Sequence, residues 1–247
     1  MRHLARRDLP SRTQDRLNTW TQTLTALPLT AQKAESDRTW RQRSPTKTIQ
    51  QVRDTLQGMN SGRDRCMYCE HDRAGPIDHF EPRERAPQRT FDWPNMVLAC
   101  ERCNSAKGAK FVGPTSALLI DPTVDDPAEH LELSPRDGRL IGLSPRGQWT
   151  IEALGLNAST GLRDRPRRAW TALQELIIRY AQCRAASDDD GAEHLREVIT
   201  EHPFPSALVQ LLIVARDPNP ETVVRAECLC ALRDRPEIES WTGKPAP

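Results

Sequence analysis

CMYCEHDRAGPIDHFEP occupies residues 66–82. It opens with a C-x-x-C pair, Cys66 and Cys69, and an adjacent Asp78-His79 follows nine positions after Cys69. A second C-x-x-C pair, Cys100 and Cys103, stands about thirty residues further on. In a reducing compartment such pairs are far more often metal ligands than disulfides. Each pair forms a tight turn that aims two thiolates at one point, and two turns complete a tetrahedron. The spacing therefore predicts a four-thiolate zinc site. A closed four-sulfur shell leaves no open position, so this Zn²⁺ is expected to be structural, supplying folding free energy that a small hairpin lacks in its own core.

Between the two pairs, "AGPIDHF" and "MVLAC" read as short strands joined by the turn-rich "EPRERAPQRTFDWP". "CERCNSAKGAKF" reads as a helix starting near Glu101, and Gly113-Pro114 as a stop. Asp78 and His79 can reach one site only if the strand ends or twists there, because neighbours in a strand face opposite ways. Pro82 suggests that the strand is ending.

Outward from this segment the chain reads as mostly helical. Residues 1–30 suggest an extended arm and a short helix with Ser11 as a plausible N-cap; residues 31–45 are very polar. Ile49, Val52, Leu56 and Met59 fall on one helical face, and Gly62 ends that element. Residues 115–150 alternate short apolar runs with turns and predict a few short strands or extended loops. Residues 160–234 predict helices, one with Pro166 in its first turn; "SDDD" at 187–190 reads as a solvated turn and 235–247 as a frayed end. Cys183, Cys228 and Cys230 are expected to be small core residues. The domain expectation is an N-terminal arm and helices at 1–60, a zinc-stapled core at 61–115, and short strands then helices at 116–247. The fold class is α+β.

The 247 residues carry a net charge of +1. Residues 1–110 hold 20 Lys+Arg and 13 Asp+Glu, a balance of +7, and the rest hold 15 and 21, a balance of −6. A basic front half suits a polyanion such as nucleic acid, though an ordinary solvated surface has the same composition. No apolar run reaches the roughly 18 residues of a membrane span. The start "MRHLARRDLP" has no apolar core, so a cytoplasmic protein is expected.

The spacings from His79 to Asn95, 16 positions, and from Asn95 to Asn104, 9 positions, complete the pattern. With "CMYC", "IDHFEP" and "NMVLACERCNSAKG", residues 66–110 closely resemble the zinc-containing HNH endonucleases, whose core is a ββα-metal fold. The resemblance implies metal-dependent hydrolysis of DNA, leaving 5′-phosphate and 3′-hydroxyl ends. Phosphodiester hydrolysis needs a positive centre at the phosphate, a base for water and rigid placement. Asp78 and Asn104 offer hard oxygen ligands to one Mg²⁺ or Mn²⁺ ion. His79 is the candidate base, and Asn95 holds the inter-strand loop and helps orient it. Lys107, on the Asn104 face of the helix, and Arg83 are phosphate-binding candidates. His71 and Glu81 read as surface or outlying groups. Taken singly, Asp78 also suits a turn cap, Asn95 a post-proline turn and Asn104 a helix start.

A looser resemblance spans most of the chain. "MRHLAR", "IQQVRDTLQGM", "LLIDPTVDDPAEHLEL", "IEALGLNASTGLRDRPRRAW" and "HPFPSAL" are similar to the HNH subunit of Septu-type anti-phage systems, with related nucleases accompanying certain retrons. That resemblance implies an ABC-type ATPase partner, PtuA in those systems. Two other readings stand beside it: a standalone restriction-type nuclease, and a zinc-knuckle module that binds nucleic acid or protein without cutting.

Overall fold

Ile77–His79 (β1) and Met96–Leu98 (β2) pair antiparallel, with Ile77 opposite Leu98, Asp78 opposite Val97 and His79 opposite Met96. All six residues are buried, so the hairpin has no solvent face and its sequence shows no alternation. Glu101–Lys107 (α4) follows at once. Its N-cap is Cys100, whose sulfur accepts the Cys103 N–H at 3.5 Å, and Gly108 ends it at φ +46°, a conformation that glycine adopts cheaply. The ββα order expected for residues 66–110 is present. This is a computed structural model that describes residues 1–60, 64–70, 74–108, 110 and 119–242. His71, Gly62, Gly113 and Pro114 lie outside the described residues.

The chain divides into two units. One holds His3–Asp125 with Ala153–Gly155, the other Met1–Arg2, Asp126–Glu152 and Leu156–Pro247. In the first unit, helices Ser11–Thr25 (α1), Leu29–Arg43 (α2) and Lys47–Met59 (α3) precede the hairpin. Pro10, not Ser11, is the residue before α1, and Ser11 is its first helical residue. α3 buries Ile49, Val52, Leu56 and Met59, the stripe read from the sequence. α2 is a different kind of helix: only Gln32 and Ser36 are buried along it. The N-terminal arm has no regular structure, yet Leu4 and Leu9 are buried. Arg6 in that arm grips the turn before β2. Its guanidinium donates to the carbonyls of Trp93, Pro94 and Met96 and to Thr123 Oγ1, and lies 4.8 Å from the Trp93 ring centroid.

In the second unit, Leu131–Leu133 (β3) and Leu140–Gly142 (β4) form another antiparallel pair. Helices Pro145–Leu154 (α5, whose last two residues are counted with the first unit), Thr160–Ala185 (α6), Asp189–Thr200 (α7), Pro205–Val214 (α8) and Ala226–Asp234 (α9) follow. Trp170, Leu173 and Ile177 of α6 pack with Leu208 and Leu211 of α8, Cys228 of α9 and Ile238.

Several expectations are corrected. "GQWTIEAL" is helical, not extended; an apolar run this short fits either period. α6 begins six residues before Pro166, so that proline lies inside the helix. Asp188 caps α7 by accepting the Gly191 N–H at 2.9 Å, and Asp189 and Asp190 fill its first turn, where carboxylates suit the helix dipole. Cys228 is buried, but Cys183 is only half-buried and Cys230 is exposed. Pro236–Thr242 forms a 3₁₀ turn that buries Ile238 instead of fraying. Among the described residues no helix is long and apolar enough to cross a membrane.

Candidate metal-dependent active site

The four cysteines converge. Their sulfurs all lie within 4.8 Å of one another, and Cys69 Sγ is 3.7 Å from Cys100 Sγ. A tetrahedral ion with Zn–S bonds of about 2.3 Å separates its sulfurs by about 3.8 Å, so the donor set fits zinc. Burial pushes the Cys66 thiol well above its ordinary value, which means that the thiolate form needs a cation beside it. The first turn is pinned to the hairpin, because the Met67 N–H donates to the Leu98 carbonyl at 2.8 Å. Glu70, directly after this turn, has φ +61°, a strained value for a residue with a Cβ.

β1 ends at His79, and Asp78 and His79 both line one cavity of about 450 Å³ with Asn104 and Lys107 of α4 and Arg83. The strand end thus satisfies the condition that two neighbouring residues share a site. Asp78 is buried, 5% exposed. Tyr68 donates its hydroxyl to Asp78 Oδ2 at 2.9 Å, and Lys107 Nζ lies 3.0 Å from Oδ1. Burial pushes the Asp78 carboxyl above the usual range, while the Lys107 charge and the hydrogen bonds from Lys107, Tyr68 and the His79 backbone pull it back. Lys107 also donates to the carbonyls of His79 and Phe80, at 3.1 Å for Phe80. An ammonium has three N–H groups, and all three are used here. Its charge therefore sits in the cavity wall while its donors tie α4 to the strand end.

His79 is 5% exposed and hydrogen-bonded through Nε2 to the Thr90 carbonyl at 2.8 Å. A carbonyl only accepts, so Nε2 carries the proton and Nδ1 keeps the lone pair. The Trp40 ring of α2 meets the imidazole edge-on, with centroids 4.5 Å apart. Burial, with Arg83 and Lys107 nearby, pulls the His79 pKa down to about 3, so the ring is neutral at pH 7. Thr90 is fully buried and bonds the buried Ser36 of α2 at 2.6 Å between hydroxyls. Ser36, Thr90 and His79 form a chain from α2 to the imidazole.

Asn95 is fully buried behind the cavity. Its Oδ1 accepts the Glu81 N–H at 2.7 Å, and its Nδ2 donates to the carbonyls of Glu81 and Arg89 at 3.2 and 3.1 Å. It makes no direct bond to His79, but it clips both ends of the 81–89 loop that leads into Thr90. Glu81 turns away from the cavity into an ion pair with Arg89 at 2.6 Å, not out to solvent. Arg83 lines the cavity and pairs with Asp37 of α2 at 2.7 Å. Asn104 is half-buried, and its side-chain amide has no hydrogen-bond partner among the described residues. A buried carboxylate and an unengaged amide on one polar cavity wall, with room for waters, fit a small divalent cation.

Sequence reasoning missed Tyr68, Thr90 and the α2 residues Ser36, Asp37 and Trp40. Tyr68 lies between two cysteines and carried a readable signal, since a tyrosine buried beside a metal site needs a hydroxyl partner. Thr90 acts through its backbone, which no residue type reveals.

Residues 66–110 match the family model described as HNH endonuclease. A Septu protein PtuB from Bacillus thuringiensis is 31% identical over 98 residues, covering 38% of this chain and 37% of that protein. Another from Bacillus mycoides (strain KBAB4) is 28% identical over 141 residues, covering 43% of this chain and 46% of that protein. The chain therefore spans less than half the length of these curated relatives.

Proposed function

We propose, for a chain that carries an HNH domain at residues 66–110 and is similar in part to Septu PtuB proteins, that it is a metal-dependent DNA endonuclease acting in anti-phage defence. The observation that carries this reading is the single cavity shared by Asp78, His79 and Asn104, with His79 held as the neutral Nε2–H tautomer.

The protein groups divide the work. Asp78 and Asn104 would hold Mg²⁺ or Mn²⁺. When bound, that ion supplies Lewis acidity at the scissile phosphate and stabilises the leaving oxygen. His79 Nδ1 takes a proton from the attacking water, while its Nε2–H keeps the ring fixed on Thr90. Trp40 covers the imidazole and restricts water around it. Arg83 offers its guanidinium to a phosphate oxygen in competition with Asp37. Lys107 contributes its positive charge from the wall, and Asn95 keeps the 81–89 loop closed. The four cysteines would hold Zn²⁺, which would fix where α4, and with it Asn104, meets the hairpin.

In the cell the protein would act in the cytoplasm beside an ABC-type ATPase of the PtuA kind, on nucleic acid that is DNA. The test is cleavage of labelled duplex DNA by the zinc-loaded chain, alone and with that ATPase, with Mn²⁺ or EDTA. The expected products carry 5′-phosphate and 3′-hydroxyl ends and need the divalent ion. Binding of DNA with no cutting under any of these conditions would replace this reading with that of a zinc-knuckle binding module.

A further inference from the structure

Beside a backbone bond from His79, the Asp78 carboxylate is gripped at both oxygens by side chains, and both of these grips start at the cysteine cluster. Lys107, at Oδ1, sits on α4, which Cys100 caps and Cys103 enters. Tyr68, at Oδ2, stands between Cys66 and Cys69. Its ring is completely buried and its hydroxyl points at the carboxylate over 2.9 Å. The turn that carries it cannot shift freely, because the Met67 N–H is bonded to the Leu98 carbonyl of β2, the partner strand of β1.

We infer that Tyr68 is a positioning residue for the divalent-ion ligand Asp78, so that the zinc turn sets the metal affinity of the cavity as well as the fold. The inference rests on the proposed role of Asp78. A carboxylate held by one hydroxyl and one ammonium, with the His79 backbone N–H beside them, keeps its plane and offers its remaining lone pairs in one direction. Without the hydroxyl it turns about χ2 toward Lys107, and an arriving cation must spend binding free energy to bring it back. Removing such an outer partner of a metal ligand typically costs 10–100-fold in affinity.

The experiment compares zinc-loaded full-length wild type, Tyr68→Phe and Asp78→Asn in a Mn²⁺ titration followed by electron paramagnetic resonance of the free ion. Tyr68→Phe is expected to keep its zinc, to bind Mn²⁺ about tenfold more weakly, and to need about tenfold more Mn²⁺ for half-maximal cleavage at unchanged KM for DNA. Wild-type Mn²⁺ affinity in Tyr68→Phe, with affinity lost in Asp78→Asn, overturns the role of Tyr68 and leaves that of Asp78 intact. Wild-type affinity in Asp78→Asn overturns the metal assignment itself, a distinguishable result. If Tyr68→Phe does not fold, 3-fluorotyrosine gives a second readout, since the chain has only two tyrosines. In a Tyr180→Phe background the remaining ¹⁹F resonance should move on Mg²⁺ addition and in Asp78→Asn. A resonance indifferent to both refutes the inference.

Discussion

Replacing Asn95 by alanine removes the clip that closes the 81–89 loop. Three hydrogen bonds go with it, to the Glu81 N–H and to the carbonyls of Glu81 and Arg89. The backbone bond from the Phe80 N–H to the Asn95 carbonyl stays, since it does not involve the side chain. Each buried polar group left without a partner costs about 1–3 kcal/mol. Glu81 and Arg89 are only half-buried, so water can reach some of the freed groups, and the low end applies: about 3 kcal/mol in total. Hydrogen exchange of peptides covering residues 77–98 reports this region alone. At about 1.4 kcal/mol per factor of ten, their slowest amides should exchange on the order of 100-fold faster in Asn95→Ala. Asn95→Asp sharpens the test. It keeps the acceptor for Glu81 but points a carboxylate oxygen at two carbonyls, so its deficit relative to wild type should be at least as large at pH 8. The introduced carboxyl is forced above its unfolded value of about 3.9. A raised acid is stabilised by taking up its proton, so the deficit should shrink toward pH 5.5. An acceleration under about fivefold in Asn95→Ala, or an Asn95→Asp deficit that grows on acidification, would refute the reasoning.

Other outcomes follow from the same geometry. Cys103→Ser should lose zinc and the slow exchange of residues 77–98 together; metal analysis finding zinc retained, or amides still protected without it, contradicts the structural role. Asp37→Asn frees Arg83 from its 2.7 Å pair and should tighten DNA binding by about three- to tenfold at 50 mM salt, less at 200 mM. Unchanged or weaker binding in a fluorescence-anisotropy titration contradicts the competition between Asp37 and phosphate. His79, lowered to about 3 when folded against about 6.5 unfolded, contributes stability that is fully present above pH 6.5 and is lost as pH falls toward 3. Between pH 7.5 and 5.5 the loss is about 1.4 kcal/mol. Urea denaturation of the zinc-loaded chain without Mg²⁺ should show this slope, and His79→Gln should flatten it.

What could be read in advance was what sits in spacing. Two C-x-x-C pairs, an Asp-His at a strand end and an Asn directly after Cys103 are chemistry carried by residue type and position, and a helix as striped as α3 declares itself. α2 does not, because its buried residues are Gln32 and Ser36 and, beside the Trp40 ring on His79, its hold on the cavity is polar: Asp37 to Arg83, Ser36 to Thr90, Lys33 to Glu84 at 3.3 Å. Hydrophobic periodicity cannot report a helix docked by hydrogen bonds. α5 escaped for the opposite reason, as a short apolar segment fits either a strand or a helix. Pro166 looked like a helix start because proline is most at home there. Lys107 could be placed on the Asn104 face of α4 from spacing, but its bonds to the carbonyls of His79 and Phe80 depend on its burial, which spacing does not report.

The central claim is that His79 is the base of a metal-dependent nuclease. Its most direct test is the single-turnover rate of DNA cleavage with Mn²⁺ for zinc-loaded wild type and His79→Ala, measured alone and with an ABC-type ATPase of the proposed kind. Loss of general-base catalysis should lower the rate by about 10²–10⁴-fold while zinc and DNA affinity stay unchanged. A His79→Ala chain that cuts at the wild-type rate, or a wild-type chain that cuts under neither condition, contradicts the account.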